Sequence, residues 1–127
     1  MEFDYYETDL LSLRGFPNLE DLTVCKSKLT DNTFNGIFGL KRLLIEMSDF
    51  SNVTNDPFQQ LQNLEYLSIF HSLNVKRLIL KNMPLLKSLF LNHVDLFQID
   101  LSTNSSLYMI TLENFNFLKT NLCEFFN

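Results

Sequence analysis

The sequence has no tryptophan, only three glycines and three prolines, and only two cysteines among its 127 residues. Its few glycines form no glycine-rich phosphate-binding loop, so nucleotide binding has no motif to support it. No apolar run approaches the roughly 18 residues of a membrane-spanning helix, and we expect no membrane insertion in this segment. The acidic stretch from Met1 to Asp9 lacks the basic and apolar regions of a signal peptide. These absences give no support to a nucleotide-dependent enzyme or a membrane-spanning protein.

Basic residues are also scarce, because ten lysines and arginines stand against fifteen acidic residues for a net charge of −5. Binding to a phosphate backbone needs a basic face, so we expect no nucleic-acid partner. Apolar residues are plentiful at 46%, and thirteen of them are phenylalanines. A chain of this length and composition can bury a core, and we predict one folded domain over residues 1–127.

An internal repeat organises the chain. An apolar residue, two variable residues, a second apolar residue, one variable residue and a third apolar residue recur with nearly constant spacing. The motif stands at Leu64-Leu67-Ile69, Val75-Leu78-Leu80, Leu86-Leu89-Leu91, Leu96-Ile99-Leu101 and Leu107-Ile110-Leu112. Its starts are 11, 11, 10 and 11 residues apart, and two longer units of 21 and 24 residues begin at Leu19 and Leu40. We predict a partial repeat or cap over residues 1–18 and about five repeats over residues 19–127.

The longer pattern, Leu-x-x-Leu-x-Leu-x-x-Asn-x-Leu followed by a phenylalanine and a leucine three residues apart, resembles the leucine-rich repeat. Residues 40–63 look like the 24-residue variety, which in that family is mostly extracellular. Ile99-Asp100-Leu101 is similar to the Leu-Asp-Leu segment of 21-residue repeats. Serine replaces the family's asparagine at three positions, Ser27, Ser48 and Ser72, and only Asn104 has the expected residue. We expect these serines to weaken the asparagine ladder that hydrogen-bonds the loops.

The resemblance implies a fold of the α/β repeat class, a right-handed leucine-rich-repeat solenoid with a parallel β-sheet on its concave face. Short 3₁₀ or helical turns, or short strands, would form the convex face. Apolar residues of period two favour convex strands at residues 78–83 and 99–104. Three-residue apolar spacing after Asn32 and Asp56 favours capped helical or 3₁₀ turns at residues 33–40 and 57–64.

The variable positions of adjacent strands would face outward in columns across the concave face. Their apolar and aromatic members make a candidate partner-binding surface, with Tyr66, Phe70 and Phe90 as its main residues. The full candidate set is Leu44, Met47, Tyr66, Phe70, His71, Phe90, His93 and Met109. The alternative is that these side chains pack on one another or are covered by residues 1–9.

We find no catalytic, cofactor-binding or metal-binding motif and predict that the protein is not an enzyme. His71 and His93 fall in one column, but no third ligand has suitable spacing for a metal. Cys25 stands on a predicted strand without the surrounding motif of a nucleophile. Of two sequons, Asn52-Val53-Thr54 lies in a predicted loop, and its glycosylation is left open.

Protein recognition is therefore the predicted function, within a larger receptor or surface protein. The next repeat would start at residue 128, so we expect a fragment without a C-terminal cap. An intracellular adaptor or substrate-recruiting module is the alternative, because Cys25 and Cys123 would lie on distant coils and reduced thiols suit a reducing compartment. A structural module that self-associates through uncapped ends is a further alternative. The sequence favours an extracellular or cell-surface origin over a cytoplasmic one but leaves the compartment, ligand and oligomeric state open.

Overall fold

The computed structural model describes residues 2–4, 13–81, 83–114 and 116–117. In this part of the chain the backbone winds as a parallel-strand β-solenoid of about four turns. Its strands are β1 (Glu2–Asp4), β2 (Asp21–Cys25), β3 (Lys28–Thr30), β4 (Arg42–Glu46), β5 (Asp49–Asn52), β6 (Tyr66–Phe70), β7 (Arg77–Ile79), β8 (Ser88–Asn92), β9 (Asp95–Leu96), β10 (Gln98–Asp100), β11 (Met109–Glu113) and β12 (Asn116–Phe117). Each coil thus contributes one strand to the main sheet and extended segments to the opposite side.

The main sheet has six parallel strands in the order β1-β2-β4-β6-β8-β11. Equivalent motif positions lie side by side, as in the run from Leu22 through Leu43 to Leu67. Successive strands from β2 to β11 start 21, 24, 22 and 21 residues apart, which are the predicted repeat lengths. Because side chains alternate between the two faces of a strand, the motif's last two apolar residues all point into the core. The predicted solenoid and its parallel sheet are confirmed.

The second side of the solenoid carries three two-stranded sheets, β3-β5, β7-β10 and β9-β12. The strands predicted at residues 78–83 and 99–104 are present but shorter, and each begins one residue earlier as β7 or β10.

The predicted helical pieces are the main correction. Residues 33–40 and 57–64 form hydrogen-bonded turns, and the only helix in the described residues is a single 3₁₀ turn at Leu13–Gly15. Asp56 still caps its turn, since its Oδ1 accepts the N–H of Phe58 at 2.8 Å. A segment of this length that must bury one phenylalanine and return at once to the sheet has no room to propagate a helix. The α/β class is therefore wrong for this region, which is a solenoid of strands and turns.

Leucine and isoleucine columns from the main sheet fill the interior, and two phenylalanines fill the side opposite. Phe34 and Phe58 are buried, and their ring centroids lie 5.7 Å apart with planes inclined by 14°. A short turn then leads each coil back into the sheet. The N–H of Leu40 donates to the Ile37 carbonyl, and the same bond recurs one coil later, from Leu64 to Leu61.

The serines that replace the family's asparagine form a ladder of their own. The buried Ser48 hydroxyl donates to the carbonyl of Glu46 at 3.0 Å and accepts the N–H of Ser27 at 3.2 Å. Ser72 repeats both contacts one coil later, at 3.0 Å and 3.2 Å. The ladder stops at the next equivalent position, Val94, which has no side-chain acceptor. The shorter side chain thus keeps the hydrogen bonds that the sequence led us to expect would weaken.

Strand β1 extends the sheet beyond β2, with Glu2 opposite Thr23 and Asp4 opposite Cys25. Residues 5–12 and 118–127 lie outside the described residues, so the predicted partial first repeat and the predicted core positions Leu122 and Phe125 stay predictions. No helix in the described part of the chain is long and apolar enough to cross a membrane.

Candidate functional site

The outward-pointing side chains of the six-stranded sheet form a continuous surface, which we call the open face. Strand β6 shows the pattern, because Leu67 and Ile69 are buried whereas the three residues alternating with them are partly exposed. The outward columns from β2 to β11 are Asp21, Arg42, Tyr66, Ser88, Met109; Thr23, Leu44, Ser68, Phe90, Thr111; and Cys25, Glu46, Phe70, Asn92, Glu113. All eight predicted site residues lie on this face or on its rim.

The first outward column contains a cation held over an aromatic ring. The guanidinium carbon of Arg42 lies 4.9 Å from the Tyr66 ring centroid, and its Nε lies 3.8 Å from Asp21 Oδ1. These residues border a cavity of about 450 Å³, which we call the tyrosine cavity; Thr23, Leu44 and Ser68 also line it. An arginine stacked on tyrosine while its fork remains half exposed can offer hydrogen bonds to a partner.

Two phenylalanines form a second feature at the other end of the strands. The ring centroids of Phe70 and Phe90 lie 5.0 Å apart, with planes inclined by 33°. The two residues are diagonal neighbours, since Phe70 pairs with Asn92 and Phe90 pairs with Ser68. Diagonal positions are within reach of aromatic side chains across a sheet. We call this contact the phenylalanine pair; four residues separate Phe70 from Tyr66 along β6, or about 13 Å.

Each strand ends at a residue in the left-handed conformation, and these residues make up the rim of the open face. They are Lys26, Met47, His71, His93 and Asn114, with φ between 47° and 50°. The N–H of His71 donates to the carbonyl of Asn92 in the next coil, and Met47 donates likewise to Phe70. The left-handed residue turns the chain inward while keeping its N–H bonded, so backbone geometry aligns the rim.

On that rim the rings of His71 and His93 stack at a centroid distance of 4.3 Å. His93 Nδ1 also contacts the side-chain oxygen of Asn92. Within the described residues, no group of three or more histidine, cysteine or acidic side chains could hold a metal. The histidines therefore extend the flat, aromatic character of the neighbouring phenylalanine pair.

A ladder of alternating charges flanks the tyrosine cavity where the strands begin. Lys41 Nζ lies 2.8 Å from Glu20 Oε1, and one repeat pair later Lys87 Nζ lies 3.1 Å from Glu65 Oε1. The hydrogen bond from Glu20 raises the pKa of Lys41 above 10.5, and Glu65 acts in the same way on Lys87. The carbonyl of Glu20 also accepts the N–H groups of Lys41 and Arg42, which fixes the start of β4.

The predicted single patch is thus two features on one face. Leu44 and Tyr66 belong to the tyrosine cavity, whereas Phe70, Phe90, His71 and His93 lie together at the other end. The two methionines stand apart from both groups: Met47 is a rim residue and Met109 lies on β11 beside Ser88.

Sequence reasoning missed the polar half of the tyrosine cavity. Arg42 and Asp21 share the outward column of Tyr66, so the repeat alignment placed them correctly, but only apolar members were selected. The charge ladder was missed as well, although each of its residues directly follows the first leucine of a repeat. Searching every column for charge as well as for apolar character would have found both.

No protein-family model matches the chain, and no curated protein matches it in sequence. The fold and the open face define the class of molecule without such a match: a parallel β-solenoid that presents partly exposed aromatic side chains on one sheet.

Proposed function

We propose that this chain is a non-catalytic recognition scaffold of the leucine-rich-repeat type, which binds a protein partner through the open face. The repeat intervals of 21 to 24 residues and the parallel sheet built from the apolar motif support the repeat type. The serine ladder supports it too, because Ser48 and Ser72 stand at the family's asparagine position and hydrogen-bond between coils. A solenoid face of this kind suits an extended protein contact.

The phenylalanine pair is the observation that carries this proposal. Phe70 and Phe90 remain partly exposed although the core beneath them is complete, and each ring already restricts the motion of the other. Ordered aromatic side chains lose little entropy when a partner covers them, which is why they serve as interface anchors. The tyrosine cavity adds a charged contact that selects partner orientation.

Within this proposal, the chain belongs to a larger receptor or surface protein, because residues 40–63 have the repeat length that predominates in extracellular members. An intracellular adaptor or substrate-recruiting module is the alternative reading of the same face.

Self-association is a second candidate that one observation favours. Ile110 on β11 occupies an inward column, yet it is 39% exposed, whereas Leu43 and Leu89 in the same column are 2% and 0% exposed. Among the described strands β11 pairs only with β8, so its other edge offers backbone groups to a further strand. A second copy pairing along β11 would bury both the edge and Ile110.

The deciding experiment is a pull-down with quantitative mass spectrometry that compares the wild-type chain with a Tyr66→Ser, Phe70→Ser, Phe90→Ser variant. All three positions point outward, so the core stays intact and circular dichroism should be unchanged. A matched control replaces Leu73, which is 65% exposed and outside the open face, by serine. We expect proteins retained by the wild type and by the control to be lost by the triple variant.

Partners retained equally by the triple variant would contradict the open-face assignment. Concentration-dependent mass in light scattering that Ile110→Asp abolishes, with no partner captured, would instead favour self-association through β11.

A further inference from the structure

A second cleft lies on the side of the solenoid away from the open face. It encloses about 320 Å³ between the second and third coils, and we call it the second-side cleft. Its lining consists of Phe50, Ser51, Val53, Thr54 and Asn55 from one coil and Asn74, Val75, Lys76, Arg77 and Ile79 from the next.

The cleft exists because two neighbouring coils separate. They are joined as far as Leu73, whose carbonyl accepts the N–H of Phe50 at 2.9 Å. Asn74 then takes a left-handed conformation with φ 59°, and its carbonyl accepts the N–H of Lys76 in a tight turn. Beyond this turn β7 pairs with β10 and not with β5, so Arg77 and Ile79 lie on a strand whose other edge borders the cleft.

Hydrogen bonds hold the cleft open in this shape. Asp31 accepts the backbone N–H groups of Thr54 and Asn55, both at 2.9 Å, which anchors one wall to the first coil. Asp49 Oδ1 accepts the side-chain amide of Asn74 at 2.8 Å and braces the turn at the other wall. A preformed site loses less entropy on binding than one that must be ordered.

The charge of the cleft is opposite to that of the chain. Lys76 and Arg77 are exposed and make no ion pair among the described residues, and no acidic residue appears in the described lining. The lining therefore carries two positive charges in a protein of net charge −5. The apolar floor of Phe50, Val53 and Val75 accepts small aliphatic side chains beside these cations.

We infer that the second-side cleft binds an extended, acidic peptide segment of a partner protein. The backbone of the segment adds to the exposed edge of β7, its acidic side chains meet Lys76 and Arg77, and alternate aliphatic side chains rest on the floor. Addition of a strand to a sheet edge supplies affinity through main-chain bonds, while flanking pockets and charges supply selectivity. This surface is separate from the open face, so the protein engages two segments independently.

The test is selection from a displayed library of random peptides of about twelve residues. Peptides are selected on the wild-type chain after depletion on a Lys76→Glu, Arg77→Glu double variant. We expect the survivors to be rich in aspartate and glutamate and to bind the double variant at least about tenfold more weakly. Their affinity should be unchanged in the Tyr66→Ser, Phe70→Ser, Phe90→Ser variant.

Lys28→Glu is the matched control, because it reverses an exposed charge on β3 outside the cleft lining and should leave peptide affinity unchanged. N-methylation of alternate peptide bonds should abolish binding if the segment adds as a strand. Failure to select acidic peptides, or survivors that bind the double variant normally, would overturn the inference. Equal competition by an oligothymidine of about twelve nucleotides would also overturn it, since general attraction of anions would then suffice.

Discussion

The serine ladder allows a quantitative prediction about stability. Ser48→Ala removes a buried hydroxyl that accepts the N–H of Ser27 and donates to the carbonyl of Glu46. The carbonyl keeps a second partner, because it also accepts the N–H of Lys26 at 3.0 Å. The Ser27 N–H loses this acceptor at a position where Ser48 is only 1% exposed, so water is poorly placed to replace it. One orphaned buried donor costs about 1–3 kcal/mol, and we expect a loss near 2 kcal/mol.

Two other serines provide internal standards for that figure. Ser72→Ala removes the same pair of contacts one coil later, so its cost should equal that of Ser48→Ala. Ser27→Ala removes a donor to the Cys25 carbonyl but withdraws no acceptor from a described N–H. Its cost should therefore be about 1 kcal/mol or less.

Urea unfolding followed by circular dichroism measures the three differences, provided that the slope m stays constant. Equal costs for Ser27→Ala and Ser48→Ala would refute the reasoning, because they would show that the acceptor role between coils contributes nothing.

Three further predictions concern other parts of the fold. Phe34→Ala removes a buried ring that stacks on Phe58 and should cost about 3–5 kcal/mol in urea unfolding. Asp31→Asn should destabilise the protein near neutral pH, because hydrogen bonds, chiefly from the Thr54 hydroxyl, lower the pKa of Asp31 below 3.8 in the folded state. That stabilisation is present above the ordinary pKa and is lost as pH falls through the folded value, so the two proteins should converge in stability near about pH 3. Met47→Asn should raise the unfolding midpoint slightly, since Met47 has φ 49° and asparagine tolerates this conformation better.

Controls separate these effects from unspecific damage. Phe38→Ala alters a phenylalanine that is 57% exposed and should change stability by no more than about 0.5 kcal/mol. A Phe34→Ala cost as small as that of Phe38→Ala would contradict the packing described. A difference between wild type and Asp31→Asn that persists unchanged into acid would show that the carboxylate charge is not involved. A lowered midpoint for Met47→Asn would indicate that contacts of the methionine outweigh its backbone strain.

The recurrence of the apolar motif was sufficient to predict the strands of the main sheet. Leu43 and Leu67 had to align because any other register would turn one strand's apolar residues outward. The same alignment predicted which residues share a column on the open face, including Arg42 and Tyr66. Turn geometry was not predictable in the same way, since the three-residue spacing around Phe34 suits a helical turn as well as the observed turn.

The sequence by itself therefore determined the repeat, the inward columns and the set of side chains that face outward, because a period of two along each strand and a period of 21 to 24 between strands leave one arrangement. Only the tertiary structure decided which of those side chains meet: Arg42 over Tyr66, Phe70 against Phe90, and the second-side cleft below Asn74. These contacts depend on rotamers and on how two coils separate after a left-handed residue. Such distances between coils are set by packing across the whole stack, which no local pattern of residues encodes.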